Sequence, residues 1–212
     1  MPRLLDLFCG AGGSAVGYSR AGFDDIVGVD IVQQPRYPFR FVLGDAMEYV
    51  AAHGREFDAI HASPPCQRYS PLARLHKDRV YPDMLATTRA ALLATARPWV
   101  MENVPGAPMR NHIMICGTTL GLRLKRHRHF ESSHVLFSPG PCRHRETDIA
   151  VTGHSVVYSW HSRSRRSPHL GWATARAVMG IPWATYEALS QAIPPAYTYY
   201  IGCQLLQALV AR

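Results

Sequence analysis

Short apolar runs and helical stretches alternate along the first hundred residues. Leu4–Cys9, Ile26–Ile31, Phe39–Leu43, Phe57–Ala62 and Trp99–Val104 each read as a strand. The first is interrupted by Asp6, and the second carries Asp30 near its end. Helical patterns fall between them, from about Ser14 to Ala21, over Ala46 to Ala52, and over Met84 to Ala96. Strands that alternate with helices predict a mostly parallel sheet covered on both sides, an α/β fold of Rossmann-like type.

The pattern breaks after Leu122. Residues 123–170 hold nine Lys or Arg against three acidic residues, many His and Ser, and little periodicity, so a basic, loop-rich insert is expected. Helical character returns at Trp172 and is interrupted at Pro182 and at Pro194-Pro195. The expected division is a core over 1–131, a short basic segment over 132–171, and a helical part over 172–212 that packs back to complete the core.

Composition narrows the function. The net charge is +8, with 23 Lys and Arg against 15 Asp and Glu, which favours a polyanionic partner. Five cysteines with no CxxC pair suggest neither a disulfide framework nor a four-cysteine metal site, and fit a reducing, cytoplasmic setting. The first residues lack a signal-peptide pattern, and no run is long enough to span a bilayer, so no membrane partner is expected. Cys142, His144, His154 and His161 match no zinc spacing, and no metal is expected.

Candidate chemistry sits at the strand ends. Asp6-Leu-Phe-Cys-Gly-Ala-Gly-Gly13 occupies a strand-to-helix turn, where glycines let the backbone approach a ligand. Asp30 ends the next strand, placed for ribose hydroxyls; Asp45 follows the third, placed for an adenine amino group or for capping the helix behind it. Together they suggest an adenosine site, which a nicotinamide or flavin protein would also present. Ser63-Pro-Pro-Cys-Gln-Arg-Tyr-Ser70 follows the fourth strand and holds Cys66 as a candidate nucleophile; Glu102-Asn-Val-Pro-Gly106 ends the fifth.

In order and spacing, DLFCGAGG, SPPCQ and ENVPG resemble the signature blocks of the cytosine-C5 DNA methyltransferases. Leu124-Lys125-Arg126-His127-Arg128 resembles that family's paired-arginine block, with Leu124 where Gln is usual. Gln191-Ala192-Ile193-Pro194-Pro195 is similar to its late block, with Ser190-Gln191-Ala192 where Gly-Asn is usual. With its short segment before the late block, the chain resembles the compact, phage- or prophage-like members of that family. The resemblance implies S-adenosylmethionine as cofactor, held by Phe8, Gly10, Gly13, Asp30, Asp45, Pro65 and Gln191. It implies Cys66 as covalent nucleophile, Glu102 on N3 and the amino group of cytosine, and Arg126 and Arg128 on the base O2 and nearby phosphates. Double-stranded DNA with the target base flipped out is the implied substrate, with RNA or a free pyrimidine nucleotide as the alternative and a catalytically silent nucleic-acid-binding module as another. Gln67, Arg68, Arg163, Arg165 and Arg166 are expected on the nucleic acid.

Overall fold

The computed structural model describes residues 1–69, 83–152, 156–159 and 171–210. The five expected strands are all present: β1 (Arg3–Leu7), β2 (Asp25–Asp30), β3 (Arg40–Leu43), β4 (Ala59–Ala62) and β5 (Trp99–Asn103). Two more complete the sheet, β6 (Ile113–Cys116) and β7 (His127–Ser132). The order is β3-β2-β1-β4-β5-β7-β6. β1 to β5 pair in parallel, whereas β7 runs antiparallel to both β5 and β6.

This order fixes where a ligand can bind. The chain builds outward from β1 through β2 to β3, then returns to lay β4 and β5 on the other side of β1. The connections leaving β1 and β4 therefore diverge to opposite faces and open a crevice beyond the carboxyl ends of those strands.

Helices cover both faces. α2 (Ala46–His53) and α3 (Leu85–Ala94) close one side over Leu5, Leu7, Val27, Ile60 and Met101. α1 (Gly13–Ala21) and α6 (Pro195–Val210) close the other over Leu4, Phe23, Ile26, Val100 and Phe130. α6 lies against α1 closely enough that a Cβ at Gly17 would collide with Thr198 and the Pro195 carbonyl. The Thr198 hydroxyl donates across this contact to the Ser14 carbonyl at 2.9 Å. Among the described residues no helix is long and apolar enough to cross a membrane.

The basic region has more structure than its composition announced. β8 (Ile149–Thr152) and β9 (Val156–Ser159) form an antiparallel hairpin. Lys125 N–H donates to the Ile149 carbonyl and Ile149 N–H to the Arg123 carbonyl, so β8 is tied to the segment that leads into β7. Ile149 and Val151 share a small core with Leu124 and with Ala175, Met179 and Leu189 of α4 (Trp172–Met179) and α5 (Tyr186–Gln191). The expected helix breaks at Pro182 and Pro194-Pro195 fall between these helices and α6.

Candidate active site at the carboxyl edge of the sheet

β1 leaves the sheet through a turn in which Phe8, Gly10 and Gly12 have φ of 57°, 48° and 78°. Such angles suit glycine and strain Phe8. Asp30 braces the turn: its Oδ2 accepts from Gly10 N–H at 2.9 Å, and its Oδ1 from Val32 N–H at 2.9 Å. A Cβ on Gly10 would meet nothing within 4 Å, so that backbone faces open space. Gly13 serves differently. It is buried, and a Cβ there would strike the Ile193 carbonyl, so its small size lets α1 pack against the segment before α6.

Asp45 caps α2, its Oδ1 accepting from Met47 and Glu48 N–H at 2.7 and 3.1 Å. This is the helix-cap role that its sequence context allows. Gly44 N–H donates to the Asp30 carbonyl, which keeps the β3 end beside the β2 end. Among the described residues Asp45 Oδ2 takes no hydrogen bond.

Under the turn lies a group that sequence reading passed over. Asp6 is fully buried, and burial raises its carboxyl to about 7 despite hydrogen bonds from Ser14 and Tyr37. Both donate to Oδ2, at 2.8 and 3.2 Å, and Oδ1 is left without a partner. Tyr37 reaches Asp6 by lying over Gly28, where any Cβ would run into its ring.

The second half of the site follows β4. Pro64 and Pro65 stiffen the approach to Cys66, and Asn103 Nδ2 donates to the Pro64 carbonyl at 3.0 Å, locking this loop to the end of β5. A short 3-10 turn, Gln67–Tyr69, follows, with Gln67 and Arg68 exposed. Cys66 is partly buried. Burial raises its thiol, the Arg128 and Arg126 charges lower it, and Glu102 raises it again.

Glu102 is only 6% exposed. Arg128 Nε stands 2.8 Å from its Oε1, off the line of a hydrogen bond, so this oxygen keeps acceptor capacity. Burial raises the Glu102 carboxyl, opposed by Arg128, Arg126 and the Ser63 hydroxyl. Ser63 is positioned from below by His61, Nε2 to Oγ at 2.9 Å, and the His61 Nδ1 lies 3.0 Å from the Tyr18 hydroxyl. Burial pushes His61 down to about 3, so it stays neutral. Nothing in the sequence marks His61 beyond a polar residue in an otherwise apolar strand.

The two arginines divide their work. Arg126 is buried, pushed down to about 9 by burial, and donates to the carbonyls of Val151, Ser190 and Ala192 at 2.8, 2.7 and 2.9 Å. It ties β8 and the late block to the sheet, and its Nε alone is unspent. Arg128 is the one paired with Glu102. Gln191 is exposed at the end of α5. Arg163, Arg165 and Arg166 lie outside the described residues.

Phe8, Gly10 and Asp30 thus stand at the carboxyl ends of β1 and β2, and Pro65, Cys66, Glu102 and Arg128 at the adjacent ends of β4, β5 and β7. Solved structures share the architecture. A protein described as a DNA modification methyltransferase encoded within an E. coli prophage aligns over 100% of both chains, with a TM-score of 0.63 and 16% identity. The Entamoeba histolytica methyltransferase EhMeth aligns over 99% of both, with a TM-score of 0.66 and 14% identity. Dnmt2 of S. pombe aligns over 98% of this chain and 99% of its own, with a TM-score of 0.60 and 14% identity. At these identities the likeness establishes the fold. In sequence, the type II methyltransferase M.XorII of Xanthomonas oryzae pv. oryzae is 29% identical over 127 residues, 52% of this chain and 30% of that enzyme. The match thus spans less than a third of that relative's length. Residues 2–116, more than half of the chain, match the profile of the C-5 cytosine-specific DNA methylases, and the chain belongs to that family.

Proposed function

We propose that the protein transfers a methyl group from S-adenosylmethionine to carbon 5 of cytosine in DNA, through a covalent bond between Cys66 and the base. The observation that carries this reading is the convergence of Cys66, Glu102 and Arg128 on one crevice, with Glu102 buried and one of its oxygens still able to bond.

The cofactor side suits the ligand. The open face at Gly10, the braced Asp30 carboxylate and the free Oδ2 of Asp45 offer a backbone cradle, a ribose acceptor and an adenine acceptor in that order along the edge. S-adenosylmethionine supplies an electrophilic methyl group. Gly13 and Gln191 contribute through packing and through the late block that Arg126 holds in place.

The protein's own part is to make carbon 5 reactive. The Cys66 thiolate adds to carbon 6, and the electron pair of the 5,6 double bond moves toward carbon 5 and N3. Glu102, its carboxyl raised by burial against the pull of Arg128 and Arg126, is placed to stabilise N3 by a proton or a strong hydrogen bond as charge develops there. A protonated Glu102 also stops opposing the Cys66 thiolate, so the nearby arginine charges then favour it. After carbon 5 is methylated its proton passes to solvent, the electron pair restores the double bond, Cys66 departs as thiolate, and N3 returns its proton to Glu102. The base reaches this buried place only by leaving the stack. Gln67 and Arg68, exposed beside Cys66, and the basic 132–171 segment face the nucleic acid.

Incubating the protein with methyl-labelled S-adenosylmethionine and separate pools of DNA, RNA and nucleotides tests the reading. Label in 5-methylcytosine of DNA is expected. Label confined to RNA or nucleotides would replace the substrate, and label in no pool would remove the activity.

A further inference from the structure

The structure points to a feature that the sequence spacing hid and that methyl transfer does not use. Cys116, His127, Cys142 and His144 bring one donor atom each to a common point, all four within 4.8 Å of one another. His127 and His144 face each other through Nε2 at 3.2 Å, Cys142 Sγ lies 3.5 Å from the His127 Nε2, and Cys116 Sγ lies 3.3 Å from the His144 Nε2. A tetrahedral ion with Zn–S of about 2.3 Å and Zn–N of about 2.0–2.1 Å separates its donors by roughly 3.3–3.8 Å. The three measured edges lie close to that figure. We propose that these four side chains form a structural zinc site of the two-cysteine, two-histidine type.

The fold explains how distant positions meet. Cys116 and His127 are direct cross-strand partners at the end of the β6–β7 ladder. Cys142 and His144 come from the segment between β7 and β8, with one residue between them. His154 and His161, which sequence reading grouped with Cys142 and His144, lie outside the described residues, and the partners here are Cys116 and His127 instead. The ion would take two thiolates and two neutral imidazoles, release two thiol protons, and leave no net charge on the cluster. The Thr118 hydroxyl, 3.3 Å from Cys116 Sγ, is the outer-shell donor such a thiolate uses.

The segment that carries Cys142 and His144 needs such a tie. From Ser132 to Thr147 no residue is buried and residues 133–148 form no helix or strand, yet this stretch delivers the chain to β8. Its first half is held to α6, where Phe137 N–H donates to Gln204 Oε1 and the Phe137 carbonyl accepts from the Tyr200 hydroxyl; the cluster would hold its second half. All five cysteines are free. The ion therefore staples the segment to the sheet, one residue from Arg128, and fixes where the basic region departs.

Elemental analysis of tag-free protein, with cobalt reconstitution, tests the site. One zinc per chain is expected, and cobalt should give the intense visible bands of a tetrahedral thiolate site. Cys142→Ser and His144→Ala, both outside the buried core, should each lose the metal and keep the far-UV circular dichroism of the sheet. Metal removal should also speed tryptic cleavage after Arg143 and Arg145, which a merely adventitious surface ion would not do. Zinc content equal in wild type and both variants, or a Cys116–Cys142 disulfide in the purified protein, would overturn the assignment.

Discussion

Buried charge sets the behaviour of individual residues. Burial raises the Glu102 carboxyl above the ordinary glutamate value, and its Arg128 partner limits the rise. Glu102→Gln fills the same space but cannot give N3 a proton. Turnover should fall roughly 100-fold or more, the scale of lost acid–base assistance, with a much smaller change in DNA affinity. Equal losses in single-turnover rate and in binding would make Glu102 a structural residue. Two further groups give stability opposite pH dependences. His61, pushed to about 3, refuses the proton that the unfolded chain takes below 6.5, so its contribution is present above 6.5 and lost as pH falls. Asp6, raised to about 7, keeps a proton that the unfolded chain gives up above 3.8, so its contribution fades as pH rises toward 7. Asp6→Asn keeps an acceptor for Ser14 and Tyr37 and removes the second slope. Urea denaturation at about pH 5 and about pH 8 should show the variant gaining on wild type at the higher pH, by a few kcal/mol at most at about 1.4 kcal/mol per pKa unit. An unchanged difference between the two pH values would contradict the buried Asp6 charge.

At the scale of elements, what the sequence disclosed depended on where hydrophobicity was spent. β1, β2, β4 and β5 are buried on both faces and leave largely apolar runs, each broken by a polar residue that carries a role, such as Asp6, His61 and Glu102. β7 lies between two strands but is only partly buried over its first half, and it reads His-Arg-His-Phe-Glu-Ser, because several of its positions carry charge. Arg128 meets Glu102, and Glu131 makes a buried two-point pair with Arg89 at 2.5 and 2.8 Å. Side chains satisfied by charge carry no hydrophobic period, so that strand was hidden. β8 was obscured by its basic neighbours, although Ile149 and Val151 are core. The Cys66 and Glu102 blocks were legible from motif order. The roles of Asp6, His61 and the four clustered Cys and His side chains were not, since each depends on contacts far apart in sequence. The α1–α6 contact was foreseen only as a C-terminal helix packing back, and its closeness rests on Gly17. Gly17→Ala should cost about 1–3 kcal/mol as an overpacking change. Calorimetry should show a melting temperature lower by several degrees, at about 2–4 °C per kcal/mol for a chain of this size. An unshifted melting point would mean that α1 and α6 separate freely.

On the scale of the whole molecule, a net charge of +8 is set against the short basic segment over 132–171, proposed to meet the target. Base-edge readout requires several side chains held rigidly in a groove, whereas phosphate contacts position the protein without reading sequence. A 132–171 segment rich in Arg, His and Ser supplies mainly the second kind. The target should therefore be short, about two or three bases, and binding strongly salt-dependent. Replacing Arg163, Arg165 and Arg166 together with Ala should weaken binding across all sequences, flatten the salt slope and leave the methylated motif unchanged. Binding isotherms at graded salt, with bisulfite sequencing of treated DNA, measure all three. A recognised site of six bases or more would show that the segment reads bases directly.

The central claim is that Cys66 bonds covalently to carbon 6 of a cytosine lifted out of DNA. Duplex DNA carrying 5-fluorocytosine tests it most directly, because fluorine cannot leave carbon 5 as a cation and the adduct cannot resolve. With S-adenosylmethionine present, a protein–DNA species stable to denaturation should form, and peptide mass spectrometry should place the modified base on Cys66. Cys66→Ser should form none while still binding the cofactor. A stable adduct on another residue, or methyl transfer that proceeds undiminished in Cys66→Ser, would contradict the account.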